Sequence, residues 1–121
     1  MKLVIAGSRD INLDIGTIHN IVDTLIPMDI EITEVVSGAC RGMDISGENW
    51  AKFHEIPIKK FKPKWDELGK KAGPVRNKEM AEYADALLLI HADTPGSLSM
   101  KEEMLKLEKP VYEVILKKYN T

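Results

Sequence analysis

Cysteine is nearly missing from this chain of 121 residues: Cys40 is the only one. No internal disulfide can form, and the composition fits a reducing compartment. The 3 histidines are scattered and complete no zinc-ligand spacing with it, so neither a metal nor a cofactor is expected. No apolar run reaches the length of a membrane span, and the opening Met1-Lys2-Leu3-Val4-Ile5-Ala6-Gly7 is too short for a signal segment. The expectation is a cytoplasmic protein with no membrane partner. Positive charge is not in excess either. Lys and Arg number 17 against 19 Asp and Glu, a formal net charge of −2, which does not favour nucleic acid as a partner. The G-x-G-x-x-G dinucleotide fingerprint is absent, because Gly7-Ser8-Arg9-Asp10 stands where it would follow the first strand.

What is there is ordinary in bulk, 44% hydrophobic and 30% charged, enough for one domain spanning residues 1–121 with its own core. The most informative stretch runs from Val35 to Trp50. A β-branched run over Ile32–Val36 ends at Ser37-Gly38, a small-residue turn follows, and a helix opens near Met43-Asp44. Strand, glycine turn and helix N-terminus are the parts of an anion cradle, in which glycines admit the backbone and free N–H groups face the ligand. Arg41 and Gly42 lie in that turn, and an arginine fork suits phosphate or carboxylate. Asp44 either caps the helix or accepts from a ribose hydroxyl. Cys40 sits in the same turn and is assigned no catalytic role.

Elsewhere strand and helix signals alternate. Lys2–Ala6 reads as a buried strand. A helix capped by Asn12 or Asp14 carries Ile15, Ile18, Val22 and Leu25 inward until Pro27 stops it. Gly47 in the second helix implies close packing on the sheet, with Trp50 and Phe53 wedged beside it. Ile56-Pro57-Ile58 begins an edge-type strand. Phe61–Ala72 reads as an irregular loop holding Trp65, and Gly73-Pro74 opens a helix with proline at its first position. On that helix Arg76, Met80 and Tyr83 share a face. Arg76 either points to a pocket at the sheet's end or pairs with Asp44 or Asp85. Residues 85–90 form a strand apolar on both faces, hence central. A loop over His91–Ser97 precedes a last helix begun by a Ser99/Glu102 capping box, with Met100, Met104 and Leu107 inward. Val111–Leu116 closes the sheet.

This order predicts an α/β, Rossmann-like three-layer α/β/α fold with a parallel five-stranded sheet in the order 3-2-1-4-5 and right-handed crossovers. Ligands in such sheets bind beyond the carboxyl ends of the strands, where the order reverses. The segments at Gly7–Asp10, Gly38–Asp44, Arg76 and Asp93–Ser97 all fall on that edge.

G-S-R-D at 7–10, S-G-A-C-R-G-M-D at 37–44, A-G-P-V-R-N-K-E-M at 72–80 and the Pro-Gly-Ser run at 95–97 together resemble the YspA-like branch of the SLOG superfamily. That group of Rossmann-like domains includes the LOG phosphoribohydrolases, the DNA-processing protein DprA and sensor domains for nucleotide-derived signals. The resemblance implies a pocket for a nucleotide or ADP-ribose-like ligand at Gly7, Ser8, Arg9, Gly38, Arg41, Asp44, Arg76, Asn77, Gly96 and Ser97. Trp65 joins the set as a surface on which a base could stack. The enzymes of the superfamily use an arginine matching Arg76 and a glutamate in P-G-G-x-G-T-x-x-E. Counted back from the last strand without gaps, Met100 takes the glutamate's place; aligned on Pro95-Gly96, Glu103 does.

The first register is preferred because it keeps Met100 on the core stripe, and it favours a small binding protein, a sensor or sequestering module, with no catalytic residue. The alternative is a LOG-type phosphoribohydrolase using Arg76 and Glu103 on nucleoside monophosphates. A third reading is a single-stranded DNA-binding module using Lys59, Lys60, Lys62, Lys64, Lys70 and Lys71 around Trp65. Relatives of this fold associate, so a homo-oligomer is an expected partner state.

Overall fold

Apolar spacing decides which segments become helix and which become strand, and the computed structural model, which describes residues 1–116, follows it closely. In order come β1 (Lys2–Gly7), α1 (Ile15–Leu25), β2 (Glu34–Ser37), α2 (Met43–Phe53) and β3 (Ile58–Lys60). They are followed by α3 (Trp65–Leu68), a 3-10 turn (Gly69–Lys71), α4 (Ala72–Tyr83), β4 (Ala86–His91), α5 (Pro95–Lys106) and β5 (Val111–Ile115). The five strands pair in parallel in the order β3-β2-β1-β4-β5. β4 is buried along its whole length, as a central strand covered on both faces must be. Pro57 lies just outside β3 at the sheet's edge, where its carbonyl accepts the Val35 N–H at 2.9 Å and its missing donor costs no ladder bond.

Alternation along the strands makes two cores. Leu3, Ile5, Val35, Leu88 and Ile90 face α1 and α2, meeting Ile18, Val22, Met43 and Trp50. Val4, Ala6, Val36, Leu87 and Leu89 face α4 and α5, meeting Met80, Ala81, Met100 and Met104. Neighbouring residues on one strand thus serve opposite layers, and the result is the three-layer α/β/α arrangement. β1 neighbours β2 on one side and β4 on the other. The sheet order therefore reverses at β1 and β4.

Several local expectations change. β2 begins at Glu34, two residues later than the β-branched run, because the Thr33 N–H is taken by the Met1 carbonyl at 2.9 Å. The stretch after Phe61 is partly helical, and α4 starts at Ala72, so Pro74 falls in its first turn but not at its first position. Pro74 is tolerated there because first-turn N–H groups have no partner within the helix. α5 starts at Pro95 with Thr94 as its N-cap, not at a Ser99/Glu102 box; proline at the first position sets the helical φ. Trp50 is buried, but Phe53 is 67% exposed, and Leu107, the C-cap of α5, is 44% exposed. Both lie at helix ends, where the inward stripe has rotated off the sheet.

Gly47 lies where α2 crosses β1. A Cβ there would come within 2.6 Å of Ile5 Cγ2, inside the core. Gly47→Ala should therefore lower stability by about 1–3 kcal/mol through overpacking, despite alanine's better helix propensity. A urea midpoint equal to or above that of the native chain would contradict this packing.

Candidate functional site

Where β1 and β4 diverge, their carboxyl ends open onto a cleft of about 390 Å³. Its walls come from four places: the end of β1, the β2–α2 turn, the first turns of α4 and the N-terminus of α5. Of the residues the sequence singles out, Gly7, Arg9, Arg41, Asp44, Arg76, Asn77, Gly96 and Ser97 line it. Asp10, Cys40, Met80, Thr94, Pro95 and Met100 line it as well.

Arg76 organises one wall. Its Nη1 donates to the Gly38 carbonyl at 2.6 Å and to Cys40 Sγ at 3.5 Å, and its Nε donates to Asn77 Oδ1 at 3.0 Å. It forms no bridge to Asp85, whose carboxylate accepts the Lys2 N–H at 2.8 Å. Asn77, itself buried, donates through Nδ2 to Ser99 Oγ at 3.3 Å. Both ends of its amide are thus engaged within the protein, and its part is to orient Arg76. Gly38 is needed for this contact, since a Cβ there would lie 2.6 Å from Arg76 Nη1 and 2.8 Å from Asp44 Oδ2. It sits beneath the guanidinium and is not part of the cleft's lining.

Ser8 and Gly42 also lie behind the surface. Ser8 is buried, its Oγ accepting the Ala92 N–H at 3.0 Å and meeting Thr94 Oγ1 at 3.2 Å. It ties the loop after β1 to the loop after β4. Gly42 adopts φ 78°, and a Cβ there would lie 2.6 Å from the Ser8 carbonyl oxygen and closer still to that of Arg9, so the turn itself demands glycine.

The N-termini of α2, α4 and α5 stand at this edge without side-chain caps, that of α4 continuing from the 3-10 turn before it. By contrast α1 is capped by Asp14, which accepts the Thr17 N–H at 2.7 Å. At α5 the Thr94 hydroxyl is drawn aside to Ser8 and to Ser97 Oγ at 2.8 Å. The first-turn N–H groups of Gly96 and Ser97 have no partner within the helix, beside a helix dipole that favours negative charge. Gly96 has open space where a Cβ would stand.

Charge in the cleft is mixed. Arg41 is 3.6 Å from Asp10, with both side chains about three-quarters exposed (75% and 77%), so it is held weakly. Asp44 is buried and accepts the Cys40 N–H at 3.1 Å. Burial pushes its carboxyl up from 3.8 to about 6, with the Cys40 hydrogen bond and the charges of Arg76 and Arg9 working the other way.

Trp65 lies outside this cleft. It borders a second one with Lys62 and Pro63, and the two clefts share Arg9, Cys40 and Arg41. Glu103 lines neither; it pairs with Lys106 at 3.3 Å, while Met100 lines the main cleft. Sequence reasoning missed Thr94 and Asp10. Thr94 could have been found from its place before Pro95, the usual N-cap signature. Among the described residues no cluster of His, Cys, Asp or Glu suited to a metal ion occurs, and no helix is long and apolar enough to cross a membrane.

A family model described as the YspA, cpYpsA-related SLOG family matches residues 1–67. That stretch holds Gly7–Asp10, the β2–α2 turn and Trp65, while Arg76, Asn77, Gly96 and Ser97 lie beyond it. No curated protein and no solved structure matches the chain.

The raised Asp44 value has a direct consequence. Between pH 3.8 and about 6 the native state holds a proton that the unfolded chain releases. Stability should therefore fall as pH rises through that window and level off above it. Asp44→Asn should remove this loss and make the protein more stable at pH 7, by up to about 3 kcal/mol. Urea midpoints measured from pH 4 to 7 test it; parallel profiles for the two proteins would contradict it.

Proposed function

We propose that this chain, which belongs to the YspA, cpYpsA-related SLOG family, is a binding protein for a nucleotide or ADP-ribose-like molecule, acting as a sensor or sequestering module. Family membership suggests a nucleotide-related binding role. The observation that carries the finer reading is the convergence of Arg76 with the uncapped N-terminus of α5 on one cleft. A phosphate there would meet the Gly96 and Ser97 N–H groups and the guanidinium edge not used by Gly38, contacts of the charge-assisted kind. Asp44, ionised above about pH 6, supplies the acceptor that ribose hydroxyls need.

Two observations weigh against the alternatives. A LOG-type hydrolase would place its carboxylate near the sugar, whereas Met100 occupies the cleft wall and Glu103 is held by Lys106. Without that group the electrostatic and nucleophilic contributions to glycosidic cleavage are lost together. For single-stranded DNA, the basic cluster is dispersed. Lys60 is bound to buried Glu48 at 3.2 Å, Lys59 lies over the Phe61 ring, and Lys62 alone of the cluster borders either of the two clefts described above.

Calorimetry with AMP and ADP-ribose tests the proposal. Arg76→Ala should weaken binding about ten- to a hundredfold, as loss of one charge-assisted contact of roughly 1.5–3 kcal/mol implies. Arg41→Ala should have a smaller effect in the same direction. Unchanged affinity in both variants would remove these arginines from the site. Incubation with AMP should release no free adenine above background, and Glu103→Gln should leave affinity unaltered. Base release that Glu103→Gln abolishes would make the protein a phosphoribohydrolase.

A further inference from the structure

The two clefts at the carboxyl edge are not separate features. The main one, about 390 Å³, and the one beside Trp65, about 470 Å³, have Arg9, Cys40 and Arg41 in common. Each volume falls in the range of a small-molecule pocket. The ridge between them is cationic, and its cations are little committed. Arg9 takes part in no ion pair among the described residues, and Arg41 has only the exposed contact to Asp10. One phosphate seated at α5 and Arg76 would leave both arginines unanswered.

Beyond the ridge stands Trp65, 48% exposed. The Arg9 guanidinium lies 6.0 Å from its ring centroid. The α4 backbone backs the ring's edge, with the Cβ position of Gly73 3.6 Å from Trp65 Cη2. A large aromatic side chain held by helical turns, open on one side and flanked by Arg9, Arg41 and Lys62, is what a planar, anion-linked group would stack against.

We propose that the clefts form one bipartite site for a two-ended ligand joined by a diphosphate. The sugar-phosphate end occupies the main cleft, the second phosphate crosses the Arg9–Arg41 ridge, and the planar base lies on Trp65. This inference rests on the nucleotide-binding reading and narrows it to the dinucleotide-like members of that ligand class. It makes Trp65 a specificity determinant: it distinguishes ligands by their far end and is silent toward those that lack one.

The test is calorimetry of the native chain, Trp65→Ala, Trp65→Phe and Arg76→Ala with two probes, ADP-ribose and ribose 5-phosphate. ADP-ribose should bind the native chain at least about tenfold tighter than ribose 5-phosphate, a difference within the range measured for base stacking on one aromatic ring. Trp65→Ala should weaken ADP-ribose about tenfold while leaving ribose 5-phosphate affinity as it was, the remaining advantage being that of the second phosphate on the ridge, and Trp65→Phe should keep most of the native affinity. Arg76→Ala should weaken both probes. If Trp65→Ala changes neither probe, or both equally, while Arg76→Ala weakens both, the bipartite site is wrong and the main-cleft reading stands. If neither probe binds the native chain, both fall.

Discussion

Arg76 belongs to a helix on one face of the sheet, yet its guanidinium ends against the turn that launches a helix on the other face. The hydrogen bond from Nη1 to the Gly38 carbonyl, 2.6 Å long, spans the carboxyl edge between those layers. The turn is built around it. Residue 38 has no side chain because the space is taken by Arg76 and Asp44, and Asn77 is buried so that its amide can hold the Nε. The same contact ties α4 to the β2–α2 turn, two of the segments that line the cleft.

That contact also explains how an acid comes to be buried in a cleft suited to anions. Asp44 loses most of its water, and the Cys40 N–H and the nearby arginine charge compensate only in part, so its carboxyl holds a proton to about pH 6. The site is therefore not a uniform cationic bowl. Donors from α5, Arg76 and the Arg9–Arg41 ridge lie around a single buried carboxylate, an arrangement that suits a phosphate bonded to a sugar better than a bare anion. The same division of labour appears at α5, where Thr94 leaves its own helix uncapped by bonding to Ser8 and Ser97.

The strand order and the edge bearing the main cleft were legible in the chain because they rest on burial and chain punctuation. β4 is apolar at successive positions, Pro57 marks the sheet's rim, and the glycine-bearing turns follow strands. The start of α5 was not legible. Ser99 and Glu102 match a capping box as well as Thr94 and Pro95 match an N-cap and first position. The choice is made by bonds to Ser8 and Asn77, distant in sequence. Ser8 reads from the sequence as a ligand contact, yet its hydroxyl bonds Thr94 and the Ala92 N–H: a polar residue in a glycine turn looks alike whether it faces solvent or a neighbouring loop. The short helix at Trp65–Leu68 has no buried residue and so leaves no apolar period to read. Phe53 and Leu107 fit the inward spacing, but they stand where the helices leave the sheet.

Amide chemical-shift mapping of the uniformly labelled chain during titration with ADP-ribose addresses the central claim most directly, because it reports where a ligand sits without altering a residue. The account predicts saturable shifts concentrated at the Gly96 and Ser97 amides, at the Cys40–Asp44 turn and around Arg76, with α1 undisturbed. Shifts confined to other surfaces, or none at millimolar ligand, would contradict it.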